Sequence, residues 1–192
     1  MEPNRLALLV PSDRRWIFKE QSHVGVVCAD IEKTIADYEK LGYTFALRCG
    51  TTRRWRPGLG VSEARDIRSA WSLQGPPHIE IAEVAGSGIE PLLWPRRGHD
   101  YVDHTGYWVD DLQAASAQLE DLGFPLEMTP AGNDGHPNGF CYHRSPGGIR
   151  IELEDGPMRK EMLREQLDRV RNGDTSVIEY RASRVGGDPS EL

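Results

Sequence analysis

Long apolar stretches are missing from this chain of 192 residues. No run approaches the roughly 20 apolar residues that a membrane span requires. Near the start, only residues 6–10 are continuously apolar, and the acidic Glu2 precedes them. That stretch is too short and too weakly flanked for a signal peptide. We therefore predict a protein without a membrane segment that works in the cytoplasm.

Cysteine is also scarce. Cys28, Cys49 and Cys141 are odd in number, lie far apart and form no CxxC pair. This pattern argues against a disulfide framework and against a cysteine zinc site. We interpret all three as small buried apolar residues with reduced thiols.

Positively charged residues are also fewer than negatively charged ones. Lys and Arg number 23 against 30 Asp and Glu, which gives a net charge of −7. Nucleic acid is not expected as a main partner, since phosphate binding needs a basic surface. A local basic run at residues 53–56 departs from this balance. The composition, 38% hydrophobic and 28% charged, is otherwise that of a soluble globular protein.

One stretch of the sequence occurs twice without a gap. A shift of 81 positions (104 − 23) superimposes the two copies, which begin His23-Val-Gly and His104-Thr-Gly. The matched positions continue through an aspartate and an apolar residue to Leu-Gly-Tyr at residues 41–43 and Leu-Gly-Phe at residues 122–124. Such repetition indicates a duplicated module.

Each copy predicts a strand, a helix and then about three strands, an α+β fold. In the first copy, Ile31, Ile35, Tyr38 and Leu41 have helical spacing. We predict an arm at 1–20, a module at 21–86, a linker at 87–103, a second module at 104–156, and a helix with a tail at 157–192. Residues 51–60, with their prolines and glycines, are expected to form a loop.

The closing strands match as well. At an offset of 72 (152 − 80), Ile79-Glu80-Ile81 falls on Ile151-Glu152-Leu153. A glutamate in a buried strand is costly unless it is paired or bound to a metal. Strand alternation lets His23, Glu80, His104 and Glu152 converge, and such a set suits a divalent Ni, Co, Fe, Mn or Zn ion.

Each of these four residues also has an ordinary explanation. A histidine at a strand start is commonly a core or surface residue, and a glutamate in a closing strand can face solvent. The occurrence of all four in repeated register favours a metal site.

The motifs resemble those of the vicinal oxygen chelate superfamily, which includes glyoxalase I, methylmalonyl-CoA epimerase and extradiol dioxygenases. The resemblance covers about residues 21–155. It implies two βαβββ modules that form a cupped, incomplete barrel around one metal, with a C-terminal helix outside it. By position, His23, Glu80, His104 and Glu152 match the metal ligands, a set most similar to that of bacterial glyoxalase I.

The resemblance implies proton transfer next to a carbonyl group of a small substrate that chelates the metal, as in an isomerase, an epimerase or a glyoxalase-type lyase. Glu152 is the expected base, and Glu80 is a ligand or a second acid/base. Two alternatives remain open, an Fe(II) extradiol-type dioxygenase and a metal-free ligand-binding or resistance protein.

Further residues are candidates for binding the substrate. Arg54 and Arg56, in the extra length of the first module, could hold a carboxylate or phosphate, and a solvated charged loop is the alternative. Strand alternation predicts that Trp108 and Arg150 face the cavity and could contact substrate, with core packing as the alternative for Trp108. His136 and His143 are further candidates, although a glycine-rich loop and a strand can each carry a histidine without a catalytic role. The amphipathic helix predicted at 158–171 could mediate a homodimer or fold back on its own domain.

Overall fold

Two copies of one strand and helix pattern build the protein, in a computed structural model that describes residues 17–83, 98–132 and 135–174. The first copy consists of β1 (Glu20–Cys28), α1 (Ile31–Glu39), β2 (Phe45–Arg56), β3 (Gly60–Ser72) and β4 (His78–Glu83). The second consists of β5 (Tyr101–Val109), α2 (Leu112–Asp121), β6 (Leu126–Pro130), β7 (Phe140–Arg144) and β8 (Arg150–Asp155). A π-helical turn (Gly156–Lys160) leads into α3 (Glu161–Arg171).

The repeated aspartates begin the two helices of the modules. Asp30 accepts a hydrogen bond from the backbone N–H of Lys33 at 3.0 Å, and Asp111 accepts one from Ala114 at 2.9 Å. Both aspartates have extended backbones, as N-cap residues do. The repeated sequence therefore encodes the strand-to-helix transition as well as the site.

The eight strands form a closed ring in the order β1-β4-β3-β2-β6-β7-β8-β5. Within it, β1 pairs with β4 and β5 pairs with β8 in parallel, and β1 joins β5 antiparallel. On the opposite side, β2 and β6 pair through only two residue pairs, Arg54↔Pro130 and Trp55↔Thr129. The predicted fold class is confirmed. The short pairing of β2 with β6 closes the sheet into a barrel.

The prediction of a loop at residues 51–60 is wrong. Strand β2 runs on to Arg56 and turns back at Gly60, so that β2 and β3 form a long hairpin. Opposite charges at Arg53 and Glu63 face each other across it. The glycines and the proline supply only the tight turn, where Gly58 has a φ of +75°.

Apolar residues lie mainly between the helices and the outer face of the barrel. Helix α2 packs Leu112 and Leu119 against Leu153 and Cys141, and helix α1 packs Ile31 against Ile81 in the same manner. The inner face of the barrel instead carries buried histidines and carboxylates. Because buried charges require partners, this interior is where a site is expected.

Helix α3 folds back on its own barrel. Leu167 is buried against Trp71 and Leu73, with Leu163 and Val170 beside it. The apolar face of the helix is thus used within one chain, and the predicted homodimer remains a prediction. Among the described residues, no helix is long and apolar enough to cross a bilayer.

Several predicted segments lie wholly or largely outside the described residues. These are the arm except residues 17–20, the linker except its end, and the tail after residue 174. The predicted boundaries of the two modules therefore remain predictions.

Candidate metal centre

The His-x-Gly motif has a steric reason. Antiparallel pairing of β1 with β5 places His23 opposite Gly106 and His104 opposite Gly25. A Cβ atom on Gly25 would lie 2.0 Å from Cε1 of His104, and one on Gly106 would lie 2.1 Å from Cε1 of His23. Each module therefore supplies the glycine that makes room for the imidazole of the other.

Four side chains converge where these strands meet. The Nε2 atoms of His23 and His104 are 3.0 Å apart, and each lies 3.1 Å from Oε2 of Glu152. Oε2 of Glu80 lies 3.5 and 3.6 Å from the same two nitrogens, and all four ligand atoms fall within 4.8 Å of one another. Ligands that are about 2.0–2.2 Å from one ion lie roughly 3 Å apart, so the cluster fits a divalent metal.

The second nitrogen of each imidazole faces a carboxylate. Nδ1 of His104 lies 3.0 Å from Asp103, and Nδ1 of His23 lies 3.1 Å from Glu154. The Ser22 hydroxyl lies 2.8 Å from that Nδ1 and donates to Glu154 at 2.9 Å. With the Nδ1–H groups donating, both Nε2 lone pairs are available to a metal, as is usual for histidine ligands. Sequence reasoning missed all three of these supporting residues.

Arginines neutralise these outer carboxylates. Arg150 donates to Asp103 at 2.6 Å and to Glu127 at 2.7 Å, and Arg159 lies 3.4 Å from Glu154. Arg150 is buried, and it contacts the carboxylates of Asp103 and Glu127 and the ring of Tyr142. This placement favours a positioning role through Asp103 over the predicted contact with substrate.

The electrostatics of the four-residue cluster are those of imidazolium groups among carboxylates. Burial lowers the pKa of His23, but hydrogen bonds to Glu152 and Glu154 outweigh it and raise that pKa to about 9. The pKa of His104 is also raised well above its usual value, against the effect of burial. The two histidines hold the pKa of Glu152 well below its usual range, although burial acts to raise it. Metal binding would therefore displace protons.

The two glutamates differ in how they are held. Glu152 contacts both imidazoles at 3.1 Å and has a side chain 6% exposed, whereas Glu80 contacts them at 3.5 and 3.6 Å and is 13% exposed. Burial, the negative charges of Glu152 and Glu80, and a side-chain hydrogen bond to Glu152 raise the pKa of the Tyr142 phenol well above its usual value. Glu80 is the less restrained carboxylate.

A cavity opens beside the cluster, with an empty volume of about 480 Å³ that includes solvent at its mouth. Glu80 and His104 of the metal cluster line it together with Tyr142, and Arg48 and Arg54 line it from β2. Arg54 therefore lines the cavity, and its role in binding substrate remains a prediction, whereas Arg48 was not predicted.

The other predicted candidates lie elsewhere. Nε of Arg56 donates to the backbone carbonyl of Glu127 at 3.2 Å. Trp108 is buried and is not one of the residues that line the cavity. His143 is buried between Ser116 and the carbonyl of Phe124, at 2.9 and 2.8 Å, which is a structural role. His136 is exposed.

Comparison with known proteins yields one family model, described as the glyoxalase/bleomycin resistance protein/dioxygenase superfamily, which matches residues 22–142. Similar solved structures include methylmalonyl-CoA epimerase from Mycobacterium tuberculosis, 22% identical with a TM-score of 0.49, covering 72% of this chain and 88% of that one. A selenomethionine form of methylmalonyl-CoA epimerase is 21% identical, with a TM-score of 0.49 and coverage of 73% and 97%. No curated protein matches the sequence.

Proposed function

Because the chain belongs to the glyoxalase/bleomycin resistance protein/dioxygenase superfamily, we propose that it is a metal-dependent enzyme that moves a proton on a carbon next to a carbonyl group. The reaction class includes isomerases, epimerases and glyoxalase-type lyases. The observation that supports it is the cluster of His23, Glu80, His104 and Glu152 beside an open cavity.

In this proposal the four residues of the cluster hold one divalent Ni, Co, Fe, Mn or Zn ion. Bound there, the ion would polarise the substrate oxygens and lower the cost of a developing enolate. Asp103 and Glu154 keep the imidazoles in the tautomer that directs Nε2 inward. A fourth protein ligand distinguishes this cluster from the two-histidine, one-carboxylate set of non-haem iron oxygenases.

We assign the base to Glu80 rather than to Glu152, which the sequence favoured. Glu80 lines the cavity, lies farther from both imidazoles and is the more exposed of the two. Its pKa is lowered by His104 and His23 against the effect of burial, so it is a carboxylate at neutral pH. It can accept a proton from substrate in the cavity and return it, while Glu152 stays fixed by Tyr142 and the histidines.

Metal analysis combined with hydrogen–deuterium exchange tests this assignment. Metal-loaded protein is incubated in deuterium oxide with a panel of 2-oxo acids, hydroxyketones and acyl thioesters, and NMR follows exchange at the carbon next to the carbonyl. We expect Glu80→Gln to keep most of the metal and lose at least 100-fold in exchange rate. His104→Ala should lose the metal, and Glu39→Gln, on the exposed end of α1, should behave as the unmodified protein.

Full exchange by Glu80→Gln would refute the base assignment. Failure of the protein to bind any of the five metals would refute the enzyme proposal and leave the ligand-binding alternative. Oxygen uptake with catechols after anaerobic purification would instead support the dioxygenase alternative.

A further inference from the structure

Arg48 lines the cavity, and it forms no ion pair with any residue that the structure describes. Its Nε donates to the hydroxyl of Ser69 at 2.8 Å, and its side chain is half-buried on the inner face of β2. It borders both the cavity beside the metal cluster and a smaller one beneath α3. Burial lowers the pKa of this guanidinium. Among the nearby carboxylates, Glu80 opposes that effect most strongly.

Two carboxylates near Arg48 are paired with other arginines. Glu83, on the same cavity, lies 3.3 Å from Arg68, and Glu154 lies 3.4 Å from Arg159. A divalent ion would offset the two carboxylates of the cluster. The metal-loaded cavity therefore keeps the positive charge of Arg48, and a partly buried charge is costly without a partner.

We infer that the substrate carries a second anionic group, a carboxylate or a phosphate, at the end remote from its metal-chelating oxygens, and that Arg48 binds it. This inference rests on the proposed function. The hydrogen bond to Ser69 fixes one edge of the planar guanidinium. The two Nη groups can then donate to two oxygens of one anion, a geometry that lysine cannot supply.

The rest of the cavity wall fits such a molecule. Besides the metal ligands and Arg48, the lining includes the apolar residues Val27, Ile67 and Ala82. They would contact a short carbon chain that joins the chelating oxygens to the distal anion. A small dianionic compound is therefore the expected substrate class.

The test compares probes that differ only in the distal anion. Calorimetric titration of zinc-loaded protein measures Kd for 2-oxoglutarate against 2-oxopentanoate, and for 2-oxoadipate against 2-oxohexanoate. A second arm compares 3-phosphoglycerate with glycerate, so that carboxylate and phosphate are distinguished. The variants are Arg48→Gln, Arg48→Lys and, as a matched control, Arg53→Gln, an exposed arginine of the same strand.

We expect the unmodified protein to prefer a dianionic probe by about tenfold or more, as a charge-assisted hydrogen bond would give. Arg48→Gln should lose that preference and bind the monoanionic probes unchanged, Arg48→Lys should retain part of it, and Arg53→Gln should retain all of it. The inference is overturned if the unmodified protein shows no preference, or if Arg48→Gln keeps it.

Two controls separate this inference from the proposed function. Metal content and thermal denaturation show whether Arg48→Gln is folded; if it is not, the loss in Arg48→Lys decides. If the unmodified protein takes up no metal, the proposed function fails, and the same titrations on metal-free protein decide. A preference that depends on Arg48 then still supports the anion site, and equal binding of both probes overturns it.

Discussion

Replacing Gly25 by alanine should abolish the metal site through a residue that touches no metal. The new Cβ would lie 2.0 Å from Cε1 of His104, against about 3.4 Å for ordinary contact. The ring must therefore move by about 1.4 Å (3.4 − 2.0), whereas metal–ligand distances tolerate about 0.2 Å. We expect His104 to be lost as a ligand, metal affinity to fall more than 100-fold, and overpacking to cost about 1–3 kcal/mol of stability.

The assay is zinc or cobalt titration against a competing chelator, together with thermal denaturation. Gly106→Ala should have the same effect through His23, because its Cβ would lie 2.1 Å from that ring. Gly98→Ala is the control, since its Cβ meets no atom of the described residues within 4 Å and its backbone φ is not positive. Native affinity and native melting temperature in Gly25→Ala would refute the steric explanation of the repeated His-x-Gly motif.

Three more predictions concern the surroundings of the site. Asp103→Asn should weaken zinc binding by about 10–100-fold while the fold is kept, because the Nδ1 of His104 loses its carboxylate; unchanged affinity in the chelator competition would contradict this. Zinc binding at pH 7 should release about two protons, because the pKa of His23 is about 9 and that of His104 is also raised; affinity should then weaken as pH falls. Calorimetry in two buffers of different ionisation enthalpy measures the release, and a value near zero would be inconsistent with protonated imidazoles. Cys28, in a variant that keeps only this cysteine, should not react with a thiol reagent at pH 8 until denaturant is added, because burial raises its pKa to about 11.

The convergence of the four-residue cluster followed from the sequence because it depends on features that the chain repeats. The gapless offset between His23 and His104 fixes equivalent positions in two strands, and the alternation of strand residues places the glutamates on the same face. Neither step requires knowledge of long-range geometry. The fold class followed for the same reason, since the repeat contains a complete strand, helix cap and helix end.

Of the supporting residues, Ser22 could not be found in this way. Ser22 and His23 are adjacent, so regular alternation would place their side chains on opposite faces of β1. The pairing of β1 with β5 shifts register between Gln21 and His23, and Ser22 contacts the imidazole next to it. Such a bulge leaves no clear mark in the sequence.

Arg48 and the hairpin were missed for another reason. The role of Arg48 depends on which residues β4 and β7 bring to the same cavity, and this is set by the ring of strands rather than by local pattern. The hairpin depends on pairing between β2 and β3, as at Arg53 and Glu63, which outweighs the turn signals of residues 57–60. The composition of residues 57–60 predicts the turn correctly, but it does not predict how far the paired strands extend.

Each module depends on a glycine of the other to make room for its histidine, and this dependence bears on how the protein evolved. Each half carries one histidine and one glutamate of the cluster, and each imidazole occupies space that only the other half leaves open. A single module could form this cluster only by pairing with a second copy of itself. Away from these strands the two halves differ, since the hairpin of the first half is longer than that of the second. Where β1 pairs with β5, the sequence of each half restricts the substitutions that the other half can accept.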